Sequence, residues 1–366
     1  MKPIVDLVAG ARPNFMKLAP VLRAVRAADR LTPRIVHTGQ HYDVEMNGVF
    51  FAELGLPAPE VELRVGSGPH GEQTARILER YERWLTESRP DATVVFGDVN
   101  STVACALAAV KLGVPVAHVE AGLRSFDRTM PEEINRILTD AISSCLLVSE
   151  PSGVANLARE GVNAASVHLV GNVMIDTLRA ELDRARSLPG ADSFDLEGGA
   201  FGLVTMHRPS NVDDPAVLER LLRLLAELAE QLPLLFPVHP RTRIAAERAG
   251  LSGLLGPGRR LHCVDPLPYR QTLGLMASAR VVLTDSGGVQ EETTVLGIPC
   301  LTLRENTERP ITLEKGTSRL VGNDVGRIRA AFGDALRGAW PKGEPIPLWD
   351  GAAADRVAGV LGEWLA

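Results

Sequence analysis

The chain has 366 residues, is 45% hydrophobic and 23% charged, and carries a formal net charge of −6. That length exceeds one ordinary core and points to two domains, while the acidic balance leaves no basic excess to neutralise a nucleic-acid backbone. The four cysteines, Cys105, Cys145, Cys263 and Cys300, form no CxxC pair and Met1-Lys2 leads into only a short apolar segment, so the expectation is a cytoplasmic protein with buried thiols, no disulfide, no signal peptide and no membrane span.

From the amino end, 4–8 reads as a valine-rich strand, and Gly10 opens a turn into a helix reaching about residue 28, with Arg12 and Lys17 near its start. Residues 33–38 form a second strand and 45–54 a helix. A longer helix at 70–86 carries Ile77, Leu78, Tyr81 and Leu85 on one face. Strands at 92–96 and 114–119 run into Gly97-Asp98 and Glu120-Ala121-Gly122, with helices at 101–112 and from Glu132 onward. A strand at 146–148 closes the set. After 167–172 comes a polar, irregular crossing at 183–196. The pattern then restarts, with strands at 202–205, 234–238, 261–264, 279–283 and 300–303 and helices at 214–230, 269–278 and 290–296. An amphipathic helix at 350–366 ends the chain.

Strands alternating with helices predict an α/β fold with parallel sheets covered on both faces. The expected organisation is two doubly wound Rossmann-like domains, 1–170 and 171–366, with the last helix packing back on the first. Strand ends facing an interdomain cleft would resemble the B-type glycosyltransferase architecture.

Thr284-Asp285-Ser286-Gly287-Gly288-Val289-Gln290-Glu291-Glu292 lies at a strand-to-helix turn. Free N–H groups and the positive end of the helix dipole attract an anion there, and glycines let its oxygens approach the backbone. An ordinary glycine loop would read the same way. Glu292, one turn in, cannot hold a phosphate but can accept hydrogen bonds from a ribose diol. Arg12 and Lys17 bring cations to the first such turn. Asp98, Glu120 and Glu132 stand at strand ends or a helix start along one sheet edge. Clustered acids repel, so at least one should hold its proton near neutral pH and serve as an acid beside a base. His207 and His239 also follow strands, His118 is ambiguous, and no histidine–carboxylate spacing matches a metal motif, so neither a metal nor a cofactor is expected.

The blocks Gly-Ala-Arg-Pro-Asn-Phe-Met-Lys at 10–17, Thr-Gly-Gln-His at 38–41, Gly97-Asp98, His-Val-Glu-Ala-Gly-Leu-Arg-Ser at 118–125 and Pro-Glu-Glu-Ile-Asn-Arg at 131–136 occur in that order. They are followed by Gly171-Asn172, His207-Arg208, Val-His-Pro at 238–240, the 284–292 segment and Thr-Glu-Arg-Pro at 307–310. Together they closely resemble the non-hydrolysing UDP-N-acetylglucosamine 2-epimerases, from about residue 4 to about 322. The resemblance implies interconversion of UDP-GlcNAc and UDP-ManNAc by anti elimination of UDP to 2-acetamidoglucal and re-addition, in a homodimer without cofactor. It implies proton transfer and stabilisation of the cationic sugar by Asp98, Glu120 and Glu132 with His207 nearby, in an order left open. Arg12, Ser286, Gly287 and Gly288 would bind the diphosphate and Glu292 the ribose, with Lys17 and Arg309 lining the site. Gln40, Arg208 and His239 match positions that bind an activating second UDP-GlcNAc in some members. Ser210 stands where the family commonly has glutamate, and Asp43 where activator-binding members have a second glutamine. Asn14-Phe15-Met16 replaces the more frequent Glu-Ala-Ile. The same mechanism on a UDP-diacetamido-uronic acid, a hydrolysing epimerase, a glycosyltransferase and a catalytically silent nucleotide-sugar binder are the alternatives.

Overall fold

The computed structural model describes residues 1–40, 51, 53–256 and 260–366. The chain forms two compact units, Met1–Thr177 with Pro347–Ala366, and Leu178–Ile346.

In the first unit, strands β1 (Ile4–Ala9), β2 (Thr32–His37), β3 (Val61–Glu62), β4 (Ala92–Phe96), β5 (Val116–Ala121), β6 (Cys145–Val148) and β7 (Val167–Leu169) form one sheet. Their order is β3-β2-β1-β4-β5-β6-β7, and every pairing is parallel. All residues of β4 and β5 are buried, as apolar runs covered by helices on both faces must be. The helices are α1 (Arg12–Ala28), α2 (His70–Glu87), α3 (Asn100–Lys111), α4 (Pro131–Ile142) and α5 (Pro151–Arg159). Ile77, Tyr81 and Leu85 of α2 repeat every four residues and pack with Val8, Val36, Val95 and Val116.

Helix α6 (Val173–Arg186) carries the chain from Thr177 to Leu178, where the units divide. The crossing expected to be irregular from residue 183 is therefore helical through Arg186. Ile175, Leu178 and Ala185 supply its buried face, and the polar string Asp183, Arg184 and Arg186 is its solvent side.

The second sheet, in Leu178–Ile346, contains β8 (Gly202–Thr205), β9 (Leu234–Pro237), β10 (Leu261–Val264), β11 (Val281–Thr284), β12 (Cys300–Thr302) and β13 (Ser318–Leu320). Its order is β10-β9-β8-β11-β12-β13, again all parallel. Helices α7 (Pro215–Ala229), α8 (Pro240–Arg248), α9 (Tyr269–Ser278), α10 (Gly287–Leu296) and α11 (Val325–Leu336) cover it. The leucines of α7 pack with Phe236, Leu283, Leu301 and Phe332.

The last helix, α12 (Ala353–Trp364), belongs to the first unit. Asp176 accepts the N–H groups of Ala353 and Ala354, at 3.2 and 2.6 Å, and so caps it from outside. Arg30 donates to the Gly362 carbonyl at 2.9 Å, and Arg356 to the Val170 carbonyl at 2.6 Å.

The expected helix at 45–54 is described only at 51, 53 and 54; its remaining positions lie outside the described residues. Strands β3 and β13 have two and three residues, too short to carry a readable alternation. Among the described residues no helix is long and apolar enough to cross a membrane. None of the four cysteines is in a disulfide.

Candidate active site

Each sheet reverses its winding direction once, between β1 and β4 in the first unit and between β8 and β11 in the second. In doubly wound sheets the carboxyl ends at such a reversal leave a crevice that helices do not fill. The candidate residues gather at these two places.

In the first unit β1 ends at Gly10. A Cβ there would lie 2.0 Å from Ser101 Oγ and 2.7 Å from Thr38 Oγ1, so only glycine fits. Asn14 accepts from the Ala11 N–H at 3.0 Å and donates to the Phe96 carbonyl at 2.8 Å, tying the β1 turn to the end of β4. One helical turn further on, Lys17 is buried and its ammonium pairs with Glu120. Gly97 follows β4 with φ +63°. A Cβ on it would meet Lys17 Nζ at 2.6 Å and Glu120 Oε2 at 3.3 Å. The turn that bears Asp98 thus lies against the Lys17–Glu120 pair.

Glu120 sits where the β5–β6 register slips between Val119 and Ala121, with φ +76°. A left-handed backbone is costly for a residue with a side chain, by about 1 kcal/mol or more, and persists only where the surroundings impose it. A bulge at a strand end re-aims the side chain it carries. Asp98 accepts from Arg136 Nη1 at 2.6 Å, and its carbonyl accepts from Asn135 Nδ2 at 2.9 Å. Arg136 is buried and also holds Glu133 at 2.9 Å. Burial works against the charge on Glu133, but the Ser125 amide and Arg136 outweigh it and hold this carboxyl below its ordinary value.

The acids therefore do not face one another bare. Lys17 compensates Glu120 and Arg136 compensates Asp98, which relieves the repulsion expected from the carboxylates alone. Glu132, in the first turn of α4, is half-buried, and its carboxylate makes no hydrogen bond or ion pair among the described residues. Gln40 is buried, and its Oε1 accepts from the N–H and Oγ of Ser101 at 3.2 and 2.7 Å. Arg12 opens α1; its side chain, and the whole of Asp43, lie outside what the structure describes.

In the second unit the turn after β11 begins with Asp285. Its carboxylate accepts from the amides of His207 and Arg208, at 2.9 and 2.8 Å, and from Asn211 Nδ2 at 3.1 Å. It also lies 3.2 Å from His207 Nδ1. Burial opposes ionisation of Asp285, but His207 and these amides prevail and depress its pKa. Asp285 thus joins the ends of β8 and β11 and aims His207. Ser286 has the extended backbone of a helix cap with no side-chain cap bond, and α10 begins at Gly287.

The helix was expected from Gln290. It starts three residues earlier, so both glycines lie in its first turn, and neither has a positive φ. Space explains Gly287: a Cβ there would meet Arg309 Nη1 at 2.6 Å and Glu308 Oε1 at 2.9 Å. Arg309 is fixed by Glu291 at 2.6 Å and Glu308 at 2.5 Å, and Arg304 holds the other oxygen of Glu308 at 2.7 Å. A guanidinium thus stands against the amino end of a helix, where first-turn amides have no partner within the helix.

Glu292 is buried and accepts from the Tyr269 hydroxyl at 3.0 Å. Burial pushes its carboxyl up to about 7, against the pull of that hydrogen bond and with a further push from Glu291. Arg208 reaches to 3.9 Å from Glu308. His239 caps α8, its Nδ1 accepting the Arg241 N–H at 3.2 Å, and its ring centroid lies 5.1 Å from that of His207.

Sequence reasoning assigned nothing to Asp285, Arg136 or Tyr269. The first two left a signal: Asp285 directly follows β11, and Arg136 stands one turn from Glu133 on α4. Tyr269 left none, because its partner lies 23 residues away.

Two parallel, doubly wound units with polar side chains gathered at both winding reversals define an α/β enzyme of the B-type glycosyltransferase fold class. The family model for UDP-N-acetylglucosamine 2-epimerase matches residues 23–362. A UDP-N-acetylglucosamine 2-epimerase of Methanocaldococcus jannaschii is 39% identical over 363 residues, 97% of this chain and 98% of that one. The crystal structure of the Methanocaldococcus jannaschii UDP-GlcNAc 2-epimerase in complex with UDP-GlcNAc and UDP superposes with a TM-score of 0.92 at 39% identity, covering 98% of this chain and 99% of the other. The UDP-2,3-diacetamido-2,3-dideoxy-D-glucuronate 2-epimerase of Pseudomonas aeruginosa is 42% identical over 318 residues, 86% of this chain and 87% of that one. The chain belongs to the UDP-N-acetylglucosamine 2-epimerase family.

Proposed function

We propose that this protein interconverts UDP-GlcNAc and UDP-ManNAc. A carboxylate of the first unit takes the C2 proton, the bond from C1 to UDP breaks, and 2-acetamidoglucal remains. UDP adds back while an acid returns a proton to the opposite face of C2. Asp98, Glu120 and Glu132 carry the proton transfers and steady the cationic sugar, with His207 assisting. The leaving diphosphate is held by Ser286, the amides of Gly287 and Gly288, Arg309 and Arg12, and the ribose by Glu292.

The observation that carries this reading is the set at Gly97: the strained Glu120 paired with Lys17, and Asp98 paired with Arg136. Two acids at one strand edge, each in an ion pair, suit a proton-transfer site, and a lysine beside them can stabilise charge that develops during elimination. Incubation with UDP-GlcNAc in deuterated water, followed by NMR, is the test. Deuterium at C2 and an equilibrium with UDP-ManNAc are expected. Substrate without label, or free ManNAc alone, sinks the proposal. Asp98→Asn should lower turnover by about 10²-fold or more, the usual scale for a general acid or base, while a calorimetric UDP titration stays nearly unchanged.

The Pseudomonas relative favours a second reading, the same chemistry on a UDP-2,3-diacetamido-uronic acid. Comparing kcat/KM on the two sugar nucleotides separates them, since a site built for the uronate would favour it by the worth of one added ion pair.

A further inference from the structure

His118, Asp140 and Arg124 form a fully buried group in the first unit that the reaction above does not use. His118 lies on β5 two residues before Glu120. Its Nε2 is 2.8 Å from the Gly97 carbonyl and its Nδ1 2.7 Å from Asp140 Oδ1. The other oxygen of Asp140 accepts the Gly122 N–H at 3.0 Å and Arg124 Nη1 at 2.7 Å. Arg124 also holds Glu160, at 2.7 and 2.8 Å. The group thus grips the chain just before Asp98 and just after Glu120.

Both ring nitrogens of His118 face acceptors. A neutral imidazole has a single N–H and would point a lone pair at the second acceptor. The bond to the Gly97 carbonyl needs the N–H on Nε2. Burial by itself would raise the Asp140 carboxyl, but His118 and Arg124 overcome it and hold it below its ordinary value. The Gly97 carbonyl sets the plane of the peptide that leads into Asp98, at a residue with φ +63°.

We propose that His118 is a positioning residue, a ring braced by Asp140 that clamps the Gly97 carbonyl and thereby fixes the Asp98 carboxylate relative to Glu120. This rests on the reading of Asp98 and Glu120 as the proton-transfer acids. Removing the clamp frees the Gly97–Asp98 peptide to turn, and a displacement of about 1 Å at a reacting group costs about 10²-fold in rate. Binding of UDP does not depend on the clamp. In Asp140→Asn the amide can donate to Nδ1 while the Nε2–H still reaches Gly97, so that variant keeps the clamp.

The test has two arms on the full-length protein. In the first, nitrogen-15 NMR of labelled histidine near neutral pH, with the His118 signal assigned by its loss in His118→Leu, should show a proton on Nε2. A ring whose only proton is on Nδ1 overturns the proposal. In the second, kcat, KM and C2 deuterium exchange are measured for wild type, His118→Leu and Asp140→Asn. The expectation is a kcat about 10²-fold lower for His118→Leu, about tenfold or less for Asp140→Asn, and KM within about threefold for both. A folded His118→Leu enzyme with wild-type kcat, or one whose loss lies in KM alone, overturns it. If His118→Leu does not fold, the signal is assigned through its shift in Asp140→Asn, and the wild-type ring decides. Wild-type protein that exchanges no C2 deuterium, or an Asp98→Asn variant as active as wild type, instead defeats the underlying reading. Exchange in wild type with a dead Asp98→Asn and an unaffected His118→Leu defeats the positioning role alone.

Discussion

At the residue scale, buried charge in this protein is held by pairing. Lys17 and Glu120 are both buried and matched to each other. Removing one partner strands the other, at a cost of about 3–5 kcal/mol, whereas replacing both with apolar groups is often neutral. Glu120→Gln should therefore lower the denaturation free energy by several kcal/mol, and Lys17→Met with Glu120→Leu should recover most of it while remaining inactive. A urea double-mutant cycle reads the coupling. Glu292 behaves differently, because burial raises its carboxyl from 4.5 to about 7. Below the unfolded value both states are protonated and the group contributes nothing. As pH rises between the two values the unfolded chain releases the proton while the folded one keeps it, so folding loses stability. The loss reaches about 3 kcal/mol above the folded value. Glu292→Gln removes this dependence. Denaturant midpoints compared at about pH 5 and about pH 8 should show the variant gaining on wild type as pH rises, and a constant gap contradicts the assignment.

At the element scale, the start of α10 shows how packing selects a residue that local propensity disfavours. Alanine is about 1 kcal/mol better than glycine inside a helix, yet Gly287 occupies the first turn because Arg309 and Glu308 stand where its Cβ would be. Gly287→Ala is thus expected to keep the fold, with a melting temperature near that of wild type, while displacing Arg309 and weakening UDP binding about tenfold. Calorimetry and thermal melts together check this. A large loss of stability with normal affinity would mean that the cluster adjusts and that Gly287 is there for packing alone. The bulge at Glu120 is the reverse case, an acidic side chain kept in a backbone conformation that favours glycine. Neither device could be read from the local sequence. Each depends on side chains supplied from elsewhere in the chain, Arg309 in one case and the paired strand β6 in the other.

At the scale of the whole molecule, the first unit is completed by residues from the far end of the chain. Val357, Ala358 and Leu361 of α12 are buried, and Asp176, Arg30 and Val170 hold its backbone and Arg356. Ending the chain after Ile346 should expose that apolar surface, lower hydrogen-exchange protection across β1 to β7, and leave Leu178–Ile346 protected as before. Equal loss in both units would show that they do not fold as separate cooperative bodies. The alternation of short apolar runs with amphipathic helices was enough to specify parallel α/β units, because strand and helix periods and the turns between them are properties of consecutive residues. The ordered motif blocks were likewise enough to specify the family. Sequence also placed Asp98 and Glu120 at the ends of neighbouring strands, since each follows its apolar run directly. What the fold alone decided is which cation meets which acid, where β5 bulges and how His118 reaches Gly97. Those contacts join residues tens to hundreds of positions apart, and no local pattern encodes a pairing that exists only once the sheets have formed.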